Sequence, residues 1–317
     1  IKTYSRGTVQ SVYDQIQKDL EDGIKLLNGG KWSVPKYHFT YSSANAFAAR
    51  FYLFKGDWDK VISHANEVFQ NGDFTGNLRP EATTLKDQAS EIRQTEYTKA
   101  DKNYNLLLAH TYSIYQRQGT GYYSRFGLGR TTYLNLFGRN TVAGVPFRWN
   151  GSSYSSSNHY WTRKFNEYWY VTNPASNTGQ PYIMVPLFTA DEALINRAEA
   201  YIRKKNFVQA LQDINQFASV RIENYNANNH RVTIDKAKAY FDLPEDDGEK
   251  ALIETILQFK QLAFITEGMR WLDILRHRIP VVHNFIDFDG TETFETLGPD
   301  DNRRMFQLPN EVKLSNI

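Results

Sequence analysis

The stretch that decides the fold is Ala46-Phe47-Ala48-Ala49-Arg50-Phe51-Tyr52-Leu53-Phe54-Lys55-Gly56-Asp57-Trp58, together with the dozen residues that follow it. Over 42–55, Ala44, Phe47, Ala48, Phe51, Tyr52 and Phe54 recur at helical spacing. Gly56-Asp57 is a short turn. Over 58–70, Trp58, Val61, Ile62, Ala65, Val68 and Phe69 line one side, and Asn71-Gly72-Asp73 stops the helix. This is a pair of antiparallel helices joined by a tight turn. The small residues of the first helix leave room for a neighbour to approach closely.

The same plan returns 149 residues downstream, where 48–66 aligns without a gap with 197–215. Ala49 matches Ala198, Tyr52 matches Tyr201 and Lys55 matches Lys204. Asp57 aligns with Asn206, Trp58 with Phe207, Ile62 with Leu211 and Asn66 with Asn215. This layout is that of a tetratricopeptide-type unit, which cannot bury its apolar face alone and therefore stacks. The rival explanation is the generic likeness of any two amphipathic hairpins. Outward from these pairs, Thr8 caps a helix over 8–27 carrying Val9, Val12, Tyr13, Ile16, Leu20, Ile24 and Leu27, stopped by Asn28-Gly29-Gly30. Helical periods also cover 190–204, 207–219, 249–267 and 268–277. The tail over 281–317 reads as irregular, with Phe306, Leu308 and Pro309 tucked back onto the body.

The expected fold class is therefore mainly α, built of tetratricopeptide-type helical hairpins with a long aromatic-rich loop insertion. It is read as one domain over 1–317: first hairpins over 1–75, the insertion over 76–189, and C-terminal hairpins with an irregular tail over 190–317.

Composition narrows the function. The 317 residues include 37 Lys and Arg against 35 Asp and Glu, a net charge of +2. That balance gives no basic footprint for a nucleic-acid partner. With no cysteine, thiolate metal sites, iron–sulfur clusters, disulfides and thiol nucleophiles are excluded. No window approaches the ~20 apolar residues of a spanning helix, and no signal peptide is present. Ile1 in place of Met reads as the mark of a processed or trimmed chain.

The seven histidines are scattered and form no metal-ligating pair at helical spacing, so no metal and no cofactor are expected. Gly127-x-Gly129 does not open a helix after a strand and is no phosphate loop. Glu245-Asp246-Asp247 precedes a helix and reads as a solvated charge cluster at its N-terminus. In Glu267-Gly268-Met269-Arg270-Trp271-Leu272-Asp273-Ile274-Leu275-Arg276, the charges step by three, the spacing of ion pairs along a helix. Trp271, Ile274 and Leu275 would face inward. Arg50 and Trp58 read likewise as packing residues of the first hairpin.

The middle of the chain is different. From 119 to 182, Gly, Ser, Asn and Pro interrupt any helical period, as in Gly119-Thr120-Gly121 and Ser152 to Ser157. From Tyr104 to Tyr182 there are 18 aromatic residues in 79 positions, and three of the six Trp lie at 149, 161 and 169. The axial C–H face of a pyranose is apolar and packs on a flat ring, while Tyr and Trp add a polar handle with few torsions to freeze. Trp149, Tyr160, Trp161, Tyr168 and Trp169 are the candidate ligand-binding rings, with Asn158, Arg163, Lys164 and Asn166 able to hydrogen-bond sugar hydroxyls. The competing explanation is that a long insertion needs aromatics for its own small core.

Five blocks of this sequence resemble, in order, the SusD/RagB family of Bacteroidetes outer-membrane nutrient-binding lipoproteins. The first runs from Arg6-Gly7-Thr8-Val9 through Val12-Tyr13 and Ile16 to Asp19-Leu20. The second is Ala46 to Trp58, the third Ala198-Glu199-Ala200, and the fourth and most specific Glu267 to Arg276. The fifth is Arg304-Met305-Phe306-Gln307-Leu308-Pro309-Asn310-Glu311. The resemblance implies a non-catalytic cell-surface protein that binds an oligosaccharide or other nutrient. It also implies pairing with a SusC-like TonB-dependent transporter at the outward face of the outer membrane. The family's usual N-terminal helical region and lipid-bearing Cys are not in this sequence, so a membrane anchor is implied by the family alone. Residues 76–182 match no family motif, and no ligand residue carries over. Three alternatives stay open: a peptide- or glycopeptide-binding member of the same family, a glycoside hydrolase, and a helical-repeat interaction scaffold.

Overall fold

Thr8 starts the first helix as the sequence predicts, its hydroxyl accepting from the Ser11 N–H at 3.0 Å. The structure is a computed structural model that describes residues 7–27, 30–115, 128–154, 159–286, 289 and 291–306. The chain forms two compact units, 1–262 and 263–317.

In the first unit, α1 (Val9–Leu26) lays Tyr13, Ile16 and Ile24 against a core of Leu20, Ala48, Phe51, Tyr52, Leu53, Val61 and Ala200. The first hairpin is α2 (Tyr41–Lys55) and α3 (Trp58–Val68). Thr40 and Ser43 form a reciprocal capping box, Gly56 turns the chain at φ +76°, and Asp57 accepts from the Lys60 N–H at 3.2 Å. Short helices α4 (Ser90–Tyr97) and α5 (Arg130–Phe137) follow, and the second hairpin is α6 (Ala190–Arg203) and α7 (Phe207–Ser219). Both repeat units thus exist as helix pairs, and α3 and α2 pack against α6. The position equivalent to Gly56 is Lys205, which adopts the same left-handed backbone at φ +58°.

Two arginines, Arg197 buried and Arg50 half-buried, join the hairpins. Arg197 on α6 donates through Nε and Nη2 to Asp213 on α7 at 2.8 and 2.7 Å. Its Nη1 donates to Asn66 of α3 at 2.7 Å and to the Gly72 carbonyl at 2.9 Å. Arg50 departs from expectation. It is not packing for its own hairpin alone but reaches across to the Glu192 carboxylate and the Leu187 carbonyl, with its guanidinium 4.2 Å from the Phe188 ring. Trp58 packs on the first core as expected.

The insertion is not a loop region. It contains β1 (Asn105–Tyr112), β2 (Leu128–Gly129), β3 (Gly151–Tyr154), β4 (His159–Thr162), β5 (Glu167–Asn173) and β6 (Thr178–Thr189). These make two three-stranded antiparallel sheets, β1-β6-β5 and β2-β4-β3. The strands escape the eye because β5 is exposed along almost its whole length and β6 mixes exposed, half-buried and buried positions without strict alternation. Gly119 to Gly121 and Gly127 lie outside the described residues. After α7 come α8 (Ala227–His230), α9 (Ile234–Phe241) and α10 (Gly248–Ala263). Glu245 and Asp246 are exposed before α10, and Glu245 pairs with Lys238.

The second unit holds α11 (Met269–Arg276) and a hairpin of β7 (Val281–Ile286) with β8 (Glu292–Leu297), where an irregular tail was expected. In α11 it is Asp273 that is buried, while Leu275 is exposed; residues two apart on a helix point to opposite sides. Phe306 is 90% exposed and is not tucked onto the body. Leu308 and Pro309 lie outside the described residues.

Candidate functional site

The sheet β1-β6-β5 opposes Tyr112, Tyr182 and Tyr168 directly across its three strands, so the three rings share one face. His110, two residues before Tyr112, and Tyr170, two after Tyr168, fall on that face by the strand period. Tyr182 sits at the centre. Its ring centroid is 6.0 Å from Tyr168 in a stacked arrangement, and 5.7 and 6.3 Å from Tyr170 and Tyr112, both edge-on. His110 is 5.1 Å away. Tyr112, Tyr168 and Tyr170 are 55%, 40% and 54% exposed. His110 Nδ1 lies 2.9 Å from the Tyr168 hydroxyl and fixes its direction. Burial, followed by the neighbouring phenols of Tyr182, Tyr37 and Tyr170, pushes the Tyr168 hydroxyl's pKa upward, so it stays a neutral donor and acceptor at physiological pH. Among the described residues this face of the three strands carries no acid and no Lys or Arg. Contiguous exposed aromatic surface of this kind marks contact sites.

Trp169 turns to the other face, opposite Pro181, and is 42% exposed. Its indole lies so close over Gly179 that a Cβ there would come within 2.7 Å of Trp169 Nε1.

A second ring group belongs to the sheet β2-β4-β3. Tyr133 of α5 stacks flat on Tyr160 of β4, centroids 4.1 Å apart and planes within 5°. Trp149 tilts against Tyr133 at 4.5 Å and against Phe137 at 6.2 Å, and its Nε1 donates to Thr162 Oγ1 at 3.1 Å. Burial and the Tyr160 phenol raise the pKa of Tyr133. Tyr133, Phe137, Phe147 and Trp149 wall a cavity of about 500 Å³, with Arg148 and Glu223 at its polar side. Gly151 lets the indole lie against the strand, since a Cβ there would meet Trp149 at 2.2 Å.

The five candidate rings are therefore divided. Tyr168 and Trp169 belong to the first sheet, and Trp149 and Tyr160 to the second group. Trp161 departs from expectation: it is 1% exposed, on the face of β4 opposite Tyr160, and offers no ring to a ligand. Arg163 and Lys164 are engaged elsewhere. The Arg163 guanidinium lies over Trp161 at 4.8 Å and pairs with Glu91, while the buried Lys164 ammonium faces Tyr97 at 5.3 Å. Asn166 is exposed, and Asn158 lies outside the described residues. Sequence reasoning did not single out Tyr112, Tyr133, Tyr170 or Tyr182. The i, i+2 spacing of Tyr168 and Tyr170 is the signal that could have placed Tyr170 on one strand face with the candidate Tyr168.

No group of three or more His, Asp or Glu able to hold a metal occurs among the described residues, and no described helix is long and apolar enough to cross a membrane.

Residues 2–53 match the SusD-like family model described as starch-binding associating with outer membrane. No curated protein matches the chain. The fold is shared with solved structures. A SusD superfamily protein from Bacteroides fragilis is 20% identical with TM-score 0.58, over 98% of this chain and 63% of its own. A SusD-like carbohydrate binding protein from Bacteroides vulgatus is 15% identical with TM-score 0.59, over 98% and 65%. A SusD superfamily protein from Bacteroides thetaiotaomicron is 17% identical with TM-score 0.61, over 98% and 66%. The chain thus spans about two thirds of the length of each. The mainly-α fold and the resemblance to the SusD/RagB family read from the sequence are both borne out.

Proposed function

We propose that this SusD-like chain captures an oligosaccharide on the tyrosine face of β1, β6 and β5 and yields it unchanged to a SusC-like TonB-dependent transporter at the outward surface of the outer membrane. One observation carries this reading: four tyrosines and a histidine form an exposed, uncharged, hydroxyl-bearing ring surface fixed by strand register. Such a surface packs the apolar faces of sugars and hydrogen-bonds their hydroxyls. The family match and the sugar-binding description of the Bacteroides vulgatus structure support the carbohydrate class. A hydrolase needs two carboxylates across its site. Among the described residues the Trp149 cavity is lined by one, Glu223, which is held by Arg148.

Affinity electrophoresis against a polysaccharide panel tests the proposal. Tyr168→Ala and Tyr170→Ala should each weaken retention by about tenfold, from the ~1–1.5 kcal/mol of a lost ring contact. Wild-type retention in both variants overturns the site, and release of reducing ends on incubation overturns the non-catalytic reading.

A further inference from the structure

We propose that the Trp149 cavity is a second ligand site, which takes one neutral pyranose unit through an arginine–glutamate clamp. The inference rests on the carbohydrate reading of the chain but not on the tyrosine face. The cavity's volume of about 500 Å³ falls within the roughly 300–1,000 Å³ of small-molecule sites.

Arg148 is held in place before any ligand arrives. Its backbone N–H donates to the Arg221 carbonyl at 2.8 Å, and its Nε donates to Asn150 Oδ1 at 3.3 Å. Asn150 is itself buried and donates through Nδ2 to Glu81 Oε2 at 2.6 Å. Arg148 Nη1 donates to Glu223 Oε1 at 2.7 Å. Among the described residues, Arg148 Nη2 and Glu223 Oε2 carry no hydrogen bond. Two adjacent sugar hydroxyls complete this arrangement: one accepts from Nη2 and the other donates to Oε2, both charge-assisted. The ring walls are as firmly set. Trp149 is pinned by Thr162 at its Nε1 and by Gly151 beneath it, and Tyr133 by its stack on Tyr160.

The clamp also selects. Its two charges cancel, so a neutral diol enters without an unpaired charge. A uronate would bring a carboxylate against Glu223, and an amino sugar would bring an ammonium against Arg148. Like charges at such range disfavour both.

The test uses the whole chain and saturation-transfer NMR titration with the methyl glycosides of galactose, glucose and mannose. The methyl glycosides of glucuronic acid and glucosamine serve as charged competitors. At least one neutral glycoside is expected to bind saturably and at least about fivefold tighter than either charged one. Arg148→Met is expected to weaken it about tenfold or more, from a lost hydrogen bond to a charged group. Glu223→Gln, which changes charge with little change of shape, is expected to move preference toward the uronide. Tyr168→Ala is expected to leave this signal in place, which separates the cavity from the tyrosine face. The proposal is overturned by absence of saturable binding of all three neutral glycosides. Tighter binding of a charged one, undiminished binding in Arg148→Met, or an unchanged uronide preference in Glu223→Gln overturns it as well. If Arg148→Met fails to fold, the Glu223→Gln preference decides alone.

Discussion

Replacing Asp213 with Leu should destabilise the protein far more than replacing it together with its partner. In the folded chain Arg197 gives two bonds to Asp213, at 2.8 and 2.7 Å, and both side chains are almost fully buried. Removing the carboxylate alone leaves a buried guanidinium without two of its four hydrogen bonds, those from Nε and Nη2, a cost of about 3–5 kcal/mol. The double variant Arg197→Met, Asp213→Leu removes both charges and restores apolar packing. It still strands two acceptors, Asn66 Oδ1 and the Gly72 carbonyl, which Arg197 Nη1 otherwise satisfies. Each unsatisfied buried acceptor costs about 1–3 kcal/mol, less where Asn66 can turn toward water. The double variant is therefore expected about 1–3 kcal/mol below wild type, and the cycle should give a coupling of about 2 kcal/mol or more. Urea unfolding of the four proteins by circular dichroism reads it, with equal m-values as the check on the comparison. Additive single effects, or an Asp213→Leu cost below about 1 kcal/mol, would refute the view that this pair locks α6 to α7 within the second hairpin.

Three further outcomes follow from particular contacts. Gly179→Ala places a Cβ 2.3 Å from the Tyr170 carbonyl and 2.7 Å from Trp169 Nε1. It should cost about 1–3 kcal/mol by overpacking and shift tryptophan emission, and an unchanged melting point and spectrum would count against the register of β5 on β6. Lys205→Gly relieves a left-handed backbone at φ +58° and should stabilise by about 0.5–1 kcal/mol; a loss in thermal unfolding would contradict the equivalence with Gly56. Glu21 accepts from Lys60 and from the Tyr52 hydroxyl, which hold its carboxyl down at about 2. A depressed carboxyl stabilises above its ordinary pKa and loses that contribution as pH falls toward 2, so Glu21→Gln should cost up to about 1 kcal/mol at pH 7 and almost nothing at pH 2; an equal gap at both pH values would overturn the assignment.

The helical frame was legible because its information is local and periodic. Ala48, Phe51, Tyr52, Val61 and Ala65 fall at helical spacing and are all buried, and Gly56 and Asp57 mark the turn by backbone and capping chemistry. The left-handed backbone of Lys205, at the position equivalent to Gly56, was not read from the sequence, because lysine carries no such signal. The insertion resisted because its strands pair across long separations, β1 with β6 and β5 with β6. The run Tyr168-Trp169-Tyr170 shows no alternation of polarity, since an edge strand with both faces partly in water needs none. The candidate rings were chosen by neighbourhood in sequence, whereas a strand assigns neighbours to opposite faces. That is why Tyr160 joins a cavity wall group while Trp161, the next residue, is buried. Tyr133 escaped because it lies on a two-turn helix too short to show a period.

The frame and the ring surface are mechanically one piece within the first unit. β6 runs without a break into α6: Thr189 ends the strand, caps the helix by accepting from the Glu192 N–H at 3.2 Å, and is itself buried. Arg50 fixes that junction from the first hairpin, through the Leu187 carbonyl and the Glu192 carboxylate. On the neighbouring strand, the Tyr104 carbonyl accepts from the Ala190 N–H at 2.9 Å, and buried Asn105 is tied to Arg79 and to the Tyr97 and Lys99 carbonyls. The Asn105 end of β1 and the Thr189 end of β6 are thus anchored in buried structure, and toward their other ends lie the exposed Tyr112 and the half-buried Tyr182. A binding face built this way loses little freedom when a ligand arrives, because its rings are already ordered by strand pairing and by the junction. Changes at Arg50 or Glu192, which lie in the junction and not on the tyrosine face, therefore act on ring placement as well as on stability.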